Sequence, residues 1–379
     1  MKRTYNFILS LLLLAMFSNR SHATPITWIH AGTGNWSVAT NWFPSLVPGP
    51  GDDVYIYSNT VTLDFNNSIN SLTLRGGTLE GASTLAVSNQ FTWSGGTLGN
   101  TGGITLYGTS TLNGTNYEGM VLGNNSQNAL LINAGQLAWS GAGTNLYLYD
   151  GTLTNLPSGT ITIAADVADA QGAYLSTLGN AGLVVKTNTT GTTTLNAPFV
   201  NTGTVHVQSG SINLGGSYSL ANGTLDFGIS GPTNYGKINL SGAASFKSGL
   251  GVNLNGLYWP ATNSSFNLLT YTSESGVLFT NAALPPFITW QTNYNATAFT
   301  LSVLARQTNA APTSLVLSRA GNTNLNLAWP GDHTGWQLEA QTNSLQGTNW
   351  VIVPGSGLTN QMTLPIGPTN GAVFFRLVL

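Results

Sequence analysis

LTLRGGTLEGASTLAVSN (Leu72–Asn89) is followed one residue later by FTWSGGTLGNTGGITLYGTSTLNG (Phe91–Gly114). Each runs apolar-polar-apolar, then Gly-Gly-Thr-Leu, then a turn of small residues, then another alternating triplet. The pairs Gly76-Gly77 and Gly95-Gly96 stand nineteen residues apart. Short period-two alternation marks strands with one buried face, and the Gly, Asn and Ser between them mark turns. A unit of roughly twenty residues cannot bury its own apolar face, but a stack of such units buries a continuous core. Stacking points Leu72, Leu74, Leu79, Leu85, Val87, Phe91, Trp93, Leu98, Ile104 and Leu106 inward and leaves Thr and Ser outside. The same alternation fits an antiparallel sandwich of short hairpins. Similar segments recurring without paired hairpin turns favour an all-β, right-handed parallel β-helix (β-solenoid).

Looser copies extend the pattern to about Gly228, as in GTTTLNAPFVNTGTVHVQSGSINLGGSYSLANGTLDFG. From there to Leu304 the strands lengthen, and FITWQTNYNATAFTLSVL has the pattern of a closing hairpin. The expected solenoid therefore spans 54–305, including terminal covering coils. Residues 306–312 (RQTNAAP) read as a linker. Residues 313–379 hold six short alternating strands, the signature of a small β-sandwich. Trp329, Trp336, Leu338, Val351, Val353 and Phe375 are its expected core.

Upstream of the repeats stands TWIHAGTGNWSVATNWFPSLVPGPGDDVYI (Thr27–Ile56). Trp28, Trp36 and Trp42 admit two readings. Their rings match the C–H face of a pyranose and could stack on a sugar. Alternatively, residues 24–53 form an aromatic N-terminal cap over the solenoid's open end, where large rings cover area and prolines remove N–H groups that recruit another strand. The cap is the favoured expectation. Asp52-Asp53 after Pro-Gly reads as a turn closure.

Only 6% of residues are charged, against about 25% in an ordinary soluble chain. Abundant aromatic and β-branched residues argue against disorder. Lys2 and Arg3, the apolar run Phe7–Phe17 and Ser21-His22-Ala23 read as a signal peptide over 1–23, too short to span a membrane. Removing it takes Lys2, Arg3 and Arg20, leaving seven basic against twelve acidic residues, a formal charge of about −5. No basic run suggests nucleic acid as a partner. There is no Cys, hence no disulfide framework and no lipid-anchor cysteine on this chain. The expected location is secreted or at the cell surface, with no transmembrane segment in the mature chain.

GGTLEGASTLAVSNQFTWSGGTLGNTGGITLYG, GLVVKTNTTGTTTLNAPFVNTGTVHVQSGSINL and GTLDFGISGPTNYGKINLSGAASFKSGLGVNLNG resemble bacterial exported proteins with autotransporter-associated β-strand repeats, over about 27–305. The resemblance implies a passenger-like β-helix, displayed or secreted and often adhesive. It specifies architecture better than activity. The C-terminal segment, with LAWP, GWQLEAQTN, NWVIVPG and FFRL, resembles a fibronectin-type-III-like module. A translocating outer-membrane barrel needs many strands of about ten residues. Nothing after Thr313 is long enough, so self-translocation is not expected.

β-helices also carry polysaccharide lyases and glycosidases. A glycosidase needs two carboxylates about 5–10 Å apart, and a lyase needs a cation and a base. Asp64, Arg75, Glu80, Glu118, Asp150, Asp166, Asp169, Lys186 and Asp226 are scattered, with no recurrence at the coil spacing evident. Asp166 and Asp169 could share a cation, although a solvated loop is the plainer reading. His30, His206 and His333 have no second ligand at metal spacing and read as surface residues. Trp93, Tyr107, Trp139, Tyr147 and Tyr149 read mainly as core or stacked ladders. No catalytic residue, metal or cofactor is expected. The expected function is a non-enzymatic surface or adhesive scaffold touching extracellular polysaccharide, with a glycan-binding module or a β-helix lyase or glycosidase as alternatives.

Overall fold

A computed structural model describes residues 23–114, 119–124, 128–172, 176–244, 247–274, 278–321, 323–342, 344–366 and 372–379. The expected signal peptide, apart from Ala23, and Glu118 lie outside them. The chain is an all-β solenoid of about nine turns. Its strands stack in parallel in two long sheets. The chain divides into two compact units, Met1–Thr154 with Gln171–Ser176, and Asn155–Ala170 with Thr177–Leu379.

In the first unit, alternation becomes columns of inward side chains. Ile56, Leu74, Trp93, Leu112 and Trp139 stand in register on successive strands of one sheet. Val61, Leu79, Leu98, Leu122 and Leu148 do the same on the other. All ten are buried, as are all ten residues expected to point inward. The Gly-Gly pairs have a steric cause. Gly77 and Gly96 adopt positive φ (73° and 85°), and a Cβ on Gly96 would sit 2.6 Å from the Gly77 carbonyl oxygen. Only glycine lets one turn rest so closely on the next.

The solenoid begins earlier than Val54. Thr24–Trp28 pairs in parallel with Asp52–Ile56, and Thr33–Asn35 with Thr60–Thr62. The Trp- and Pro-rich stretch is thus itself a coil. Trp42–Phe43 then lies antiparallel along Thr24–Trp28 and occupies that strand's other edge.

In the second unit, Ile161, Val184, Val205, Leu225 and Leu250 form one inward column. Ile163, Lys186, Val207, Phe227 and Val252 form its neighbour. Buried Asn155, Asn180 and Asn201 stack at the strand ends. Asn155 Nδ2 donates to Asn180 Oδ1 (2.8 Å), and Asn180 Nδ2 to Asn201 Oδ1 (2.7 Å). Their amides also reach the carbonyls of Gly159, Thr204 and Gly203, satisfying turn backbone that would otherwise be buried unpaired. The expected hairpin is present. Ala298–Arg306 pairs antiparallel with both Ile288–Asn295 and Ser265–Thr270, and buries Phe299, Leu301 and Val303 over the last rung.

Past the hairpin, two three-stranded antiparallel sheets face each other across Leu327, Trp329 and Leu338. Val353 and Phe375 pack against this core, and Trp336 is buried. Val351 is not part of it: it lies on the short strand Val351–Ile352 and is 68% exposed. The expected linker is tied down. Asn309 N–H donates to the Asp332 carbonyl oxygen (2.7 Å), Trp336 Nε1 donates to the Asn309 carbonyl (2.8 Å), and Thr308 Oγ1 donates to the Thr334 carbonyl (2.9 Å).

Candidate functional site

Trp28, Trp36 and Trp42 offer no ring face to a sugar. They are buried, and Trp42 meets each of the other two edge-on at 4.8 Å between ring centroids. Trp42 Nε1 donates to the Trp36 carbonyl (2.9 Å). The sugar-stacking reading fails on burial: the rings line the inside of the first coil. Asp52 Oδ2 accepts the Gly49 N–H (2.8 Å), closing the Pro-Gly turn as expected. Asp53 Oδ1 accepts instead from Asn70 Nδ2 (2.7 Å) and Ser71 Oγ (2.5 Å) on the next coil.

The charged residues are not independent of coil spacing, contrary to expectation. Lys186 lies at an inward position, fully buried, and its ammonium reaches Asp166 Oδ1 (3.0 Å), Thr189 Oγ1 (2.8 Å) and the Ala165 carbonyl (3.3 Å). Asp166 is twenty residues upstream, in the preceding coil. Partial desolvation raises the Asp166 carboxyl pKa, but the hydrogen bonds from Thr189 and Lys186 and the Lys186 charge outweigh it and hold the pKa below its usual range. Asp169 points the other way, into the protein. Its oxygens accept the N–H groups of Asn196 (2.7 Å) and Ala197 (2.8 Å). The two carboxylates therefore do not share a cation. Among the described residues, no group of three or more His, Asp or Glu could hold a metal ion.

His206 also gains a partner from the neighbouring coil. Thr204–Val207 and Thr224–Ile229 run parallel with His206 opposite Asp226, and His206 Nδ1 lies 2.7 Å from Asp226 Oδ2. Asn253 Nδ2 donates to both Asp226 oxygens (2.8 and 2.9 Å). Gly251, the residue opposite Asp226 on the next strand, leaves the carboxylate uncrowded, since a Cβ there would lie 2.4 Å from Asp226 Oδ1. The result is a part-exposed His–Asp–Asn group on the outer wall. The two partners stand twenty residues apart, a separation that nothing in the local sequence singles out. His333 is likewise no surface residue: it is buried, with Nδ1 2.8 Å from Asp332 and Nε2 2.8 Å from the Ala311 carbonyl.

Most of the outer wall is uncharged. In the first unit, Thr33, Thr60, Thr78 and Thr97 stand in register on four successive strands. In the second, Thr194, Asn213, Asn239 and Thr270 do so. There Asn239 Nδ2 donates to Asn213 Oδ1 (2.7 Å), and Thr270 Oγ1 to Asn239 Oδ1 (2.8 Å). Tyr147 and Tyr149 stack with centroids 6.3 Å apart, and Tyr107 is 58% exposed. Trp93 and Trp139 are core.

No protein-family model matches the chain, and no curated protein matches it. Among the described residues, no helix is long and apolar enough to cross a membrane.

Proposed function

We propose that the protein is an exported, non-enzymatic surface scaffold that adheres to extracellular glycans along its outer wall. The register of Thr33, Thr60, Thr78 and Thr97, and of Thr194, Asn213, Asn239 and Thr270, carries this reading. Hydroxyls and amides both donate and accept, as sugar hydroxyls do. One such contact is weak in water, but a row of them on a rigid frame acts multivalently on a polymer. The low charge suits a neutral partner over a nucleic acid. The signal-like N-terminus and the resemblance to exported repeat proteins support display outside the cell.

The test is retention on a panel of insoluble polysaccharides, with parallel assay of soluble products. Salt-insensitive retention on at least one polymer, with no new chain ends, is the expected result. Failure to bind any of them would overturn the reading.

A second reading, a glycan-active enzyme, has one observation in its favour, the His206–Asp226–Asn253 group. It predicts release of reducing ends or unsaturated products that His206→Ala abolishes.

A further inference from the structure

Where the last coils meet the C-terminal sandwich, within the second unit, lies a cleft of about 440 Å³. One wall is Asn253, Leu254, Tyr258 and Trp259, another is Ala283 to Pro286, and the third is Pro330 to Asp332 of the sandwich. The walls are braced. Asn360 Nδ2 donates to the Leu257 carbonyl (2.9 Å) and the Trp329 carbonyl (3.1 Å), tying the sandwich to the loop that carries Tyr258 and Trp259. Gly331 lies directly against Trp259, because a Cβ on it would fall 2.8 Å from the Trp259 Cβ.

The lining is of two kinds. Tyr258 and Trp259 are half-buried and line the cleft, and Pro285, Pro286 and Pro330 add flat apolar rings. Against these stand a carboxylate and an amide. Asp332 is already fixed from behind: Oδ2 accepts from Asn309 Nδ2 (2.8 Å), and Oδ1 lies 2.8 Å from His333 Nδ1. A carboxylate has about four acceptor sites, so roughly two remain for hydroxyl donors, in an orientation set before any ligand arrives. Among the described residues no Lys or Arg lines the cleft, so a uronate, sulfate or phosphate would meet Asp332 without a counter-charge.

We propose that this cleft binds a neutral pyranoside, as an end or a short stretch of a glycan chain. An apolar C–H face packs on Tyr258 and Trp259, and ring hydroxyls donate to Asp332 and to the Asn253 amide oxygen. The inference rests on the glycan reading above but assigns it a different place. The outer ladders would hold a polymer broadly, whereas the cleft would select one sugar. Asn253 belongs to both the cleft and the His206–Asp226 group, so a chain seated in the cleft would continue toward that pair.

The experiment is titration of the full chain with soluble cello-, xylo-, laminari-, manno- and N-acetylchito-hexaose and with a decaproline peptide, read by tryptophan fluorescence and calorimetry. One hexasaccharide should bind and change the fluorescence. Trp259→Ala should weaken it roughly tenfold or more. Trp259 also packs on Gly331, so Ala283→Trp is the second variant: Ala283 is exposed on the cleft wall, and a large ring there fills the space without removing a buried contact. It should block the sugar while the far-ultraviolet dichroism stays unchanged. Retention on an insoluble polymer should survive both variants. If polymer retention holds but no hexasaccharide binds, the cleft assignment falls and the wall reading stands. If a hexasaccharide binds but no polymer is retained, the reverse follows. Binding of decaproline alone, or undiminished sugar binding by both variants, overturns the assignment.

Discussion

Asp169 is a buried carboxyl whose cost can be read by titration. It is fully buried in the strand Val167–Gln171. Burial pushes its pKa up from 3.8 to about 6, against the downward pull of the Asn196 and Ala197 N–H groups. The folded state therefore binds this proton more tightly than the unfolded state does. Stability from this group is complete below pH 3.8 and is lost as the pH rises through about 6. Each pKa unit is worth about 1.4 kcal/mol, so the full effect is about 3 kcal/mol between roughly pH 4 and pH 7. Asp169→Asn removes the titration and keeps one of the two acceptors. Urea unfolding, followed by far-ultraviolet dichroism at half-unit pH steps, gives the stability of both proteins. Subtracting one curve from the other cancels every other titrating group. Relative to the variant, the wild type should lose about 3 kcal/mol from pH 4 to pH 7, with most of the loss complete by pH 6.5. Parallel curves across that window would refute the account of Asp169 as a carboxyl strained by burial.

The other outcomes follow from packing and pairing. Trp42→Ala empties a fully buried position between two rings and should cost about 3–5 kcal/mol, read as an early loss of tryptophan fluorescence in guanidinium. Gly77→Ala forces a Cβ within 2.4 Å of the Asn59 carbonyl oxygen at positive φ, and should lower the thermal midpoint by several degrees or abolish soluble expression. Asn180→Ala breaks the stack between Asn155 and Asn201 and strands buried amide groups, for about 1–3 kcal/mol in urea unfolding. Lys186→Met should be tolerated, because the site is a core position between Ile163 and Val207; Asp166→Ala, which leaves the buried ammonium behind, should destabilise more, and the reverse order in thermal melts would contradict the pairing.

The core was legible because burial imposes period two locally, whatever the coil length. Leu72, Leu74, Phe91 and Trp93 needed no knowledge of their partners to read as inward. The start of the solenoid was less legible. Thr24–Trp28 and Thr33–Asn35 are rungs, but Pro25 within the first and the Trp- and Pro-rich stretch after the second masked the alternation, and the rings read as a lid although they form the inside of a coil. The polar pairs were illegible for another reason. Coil-to-coil partners are separated by eighteen residues for Asp53 and Ser71, twenty for His206 and Asp226, and twenty-seven for Asp169 and Asn196. Turn insertions change the separation from coil to coil, so no fixed offset finds the partners. Tyr258, Trp259 and Asp332 join one cleft only because the chain folds the sandwich back against the last coils, which no local pattern encodes.

The low charge of the chain is a consequence of this geometry. In a parallel stack every outward side chain faces its counterparts one strand above and below, about 4.8 Å away. A column of like charges at that spacing repels itself along its length, whereas threonine or asparagine at the same positions can hydrogen-bond upward and downward. Thr194, Asn213, Asn239 and Thr270 take the second course, with Asn239 bonded to both neighbours. A charge is tolerated where the adjacent coil answers it: Asp166 by Lys186, Asp226 by His206 and Asn253, Asp53 by Asn70 and Ser71. A new unanswered charge should therefore cost more in the middle of a ladder than at its end. Asn239→Asp, flanked on both sides, should lower the thermal midpoint more than Thr270→Asp, whose next neighbour is the closing hairpin. Added salt should narrow the difference, because these columns are only half-buried and screening still reaches them. Equal midpoints for the two variants at low salt would show that the ladders are decorative, and the low charge would then need another cause.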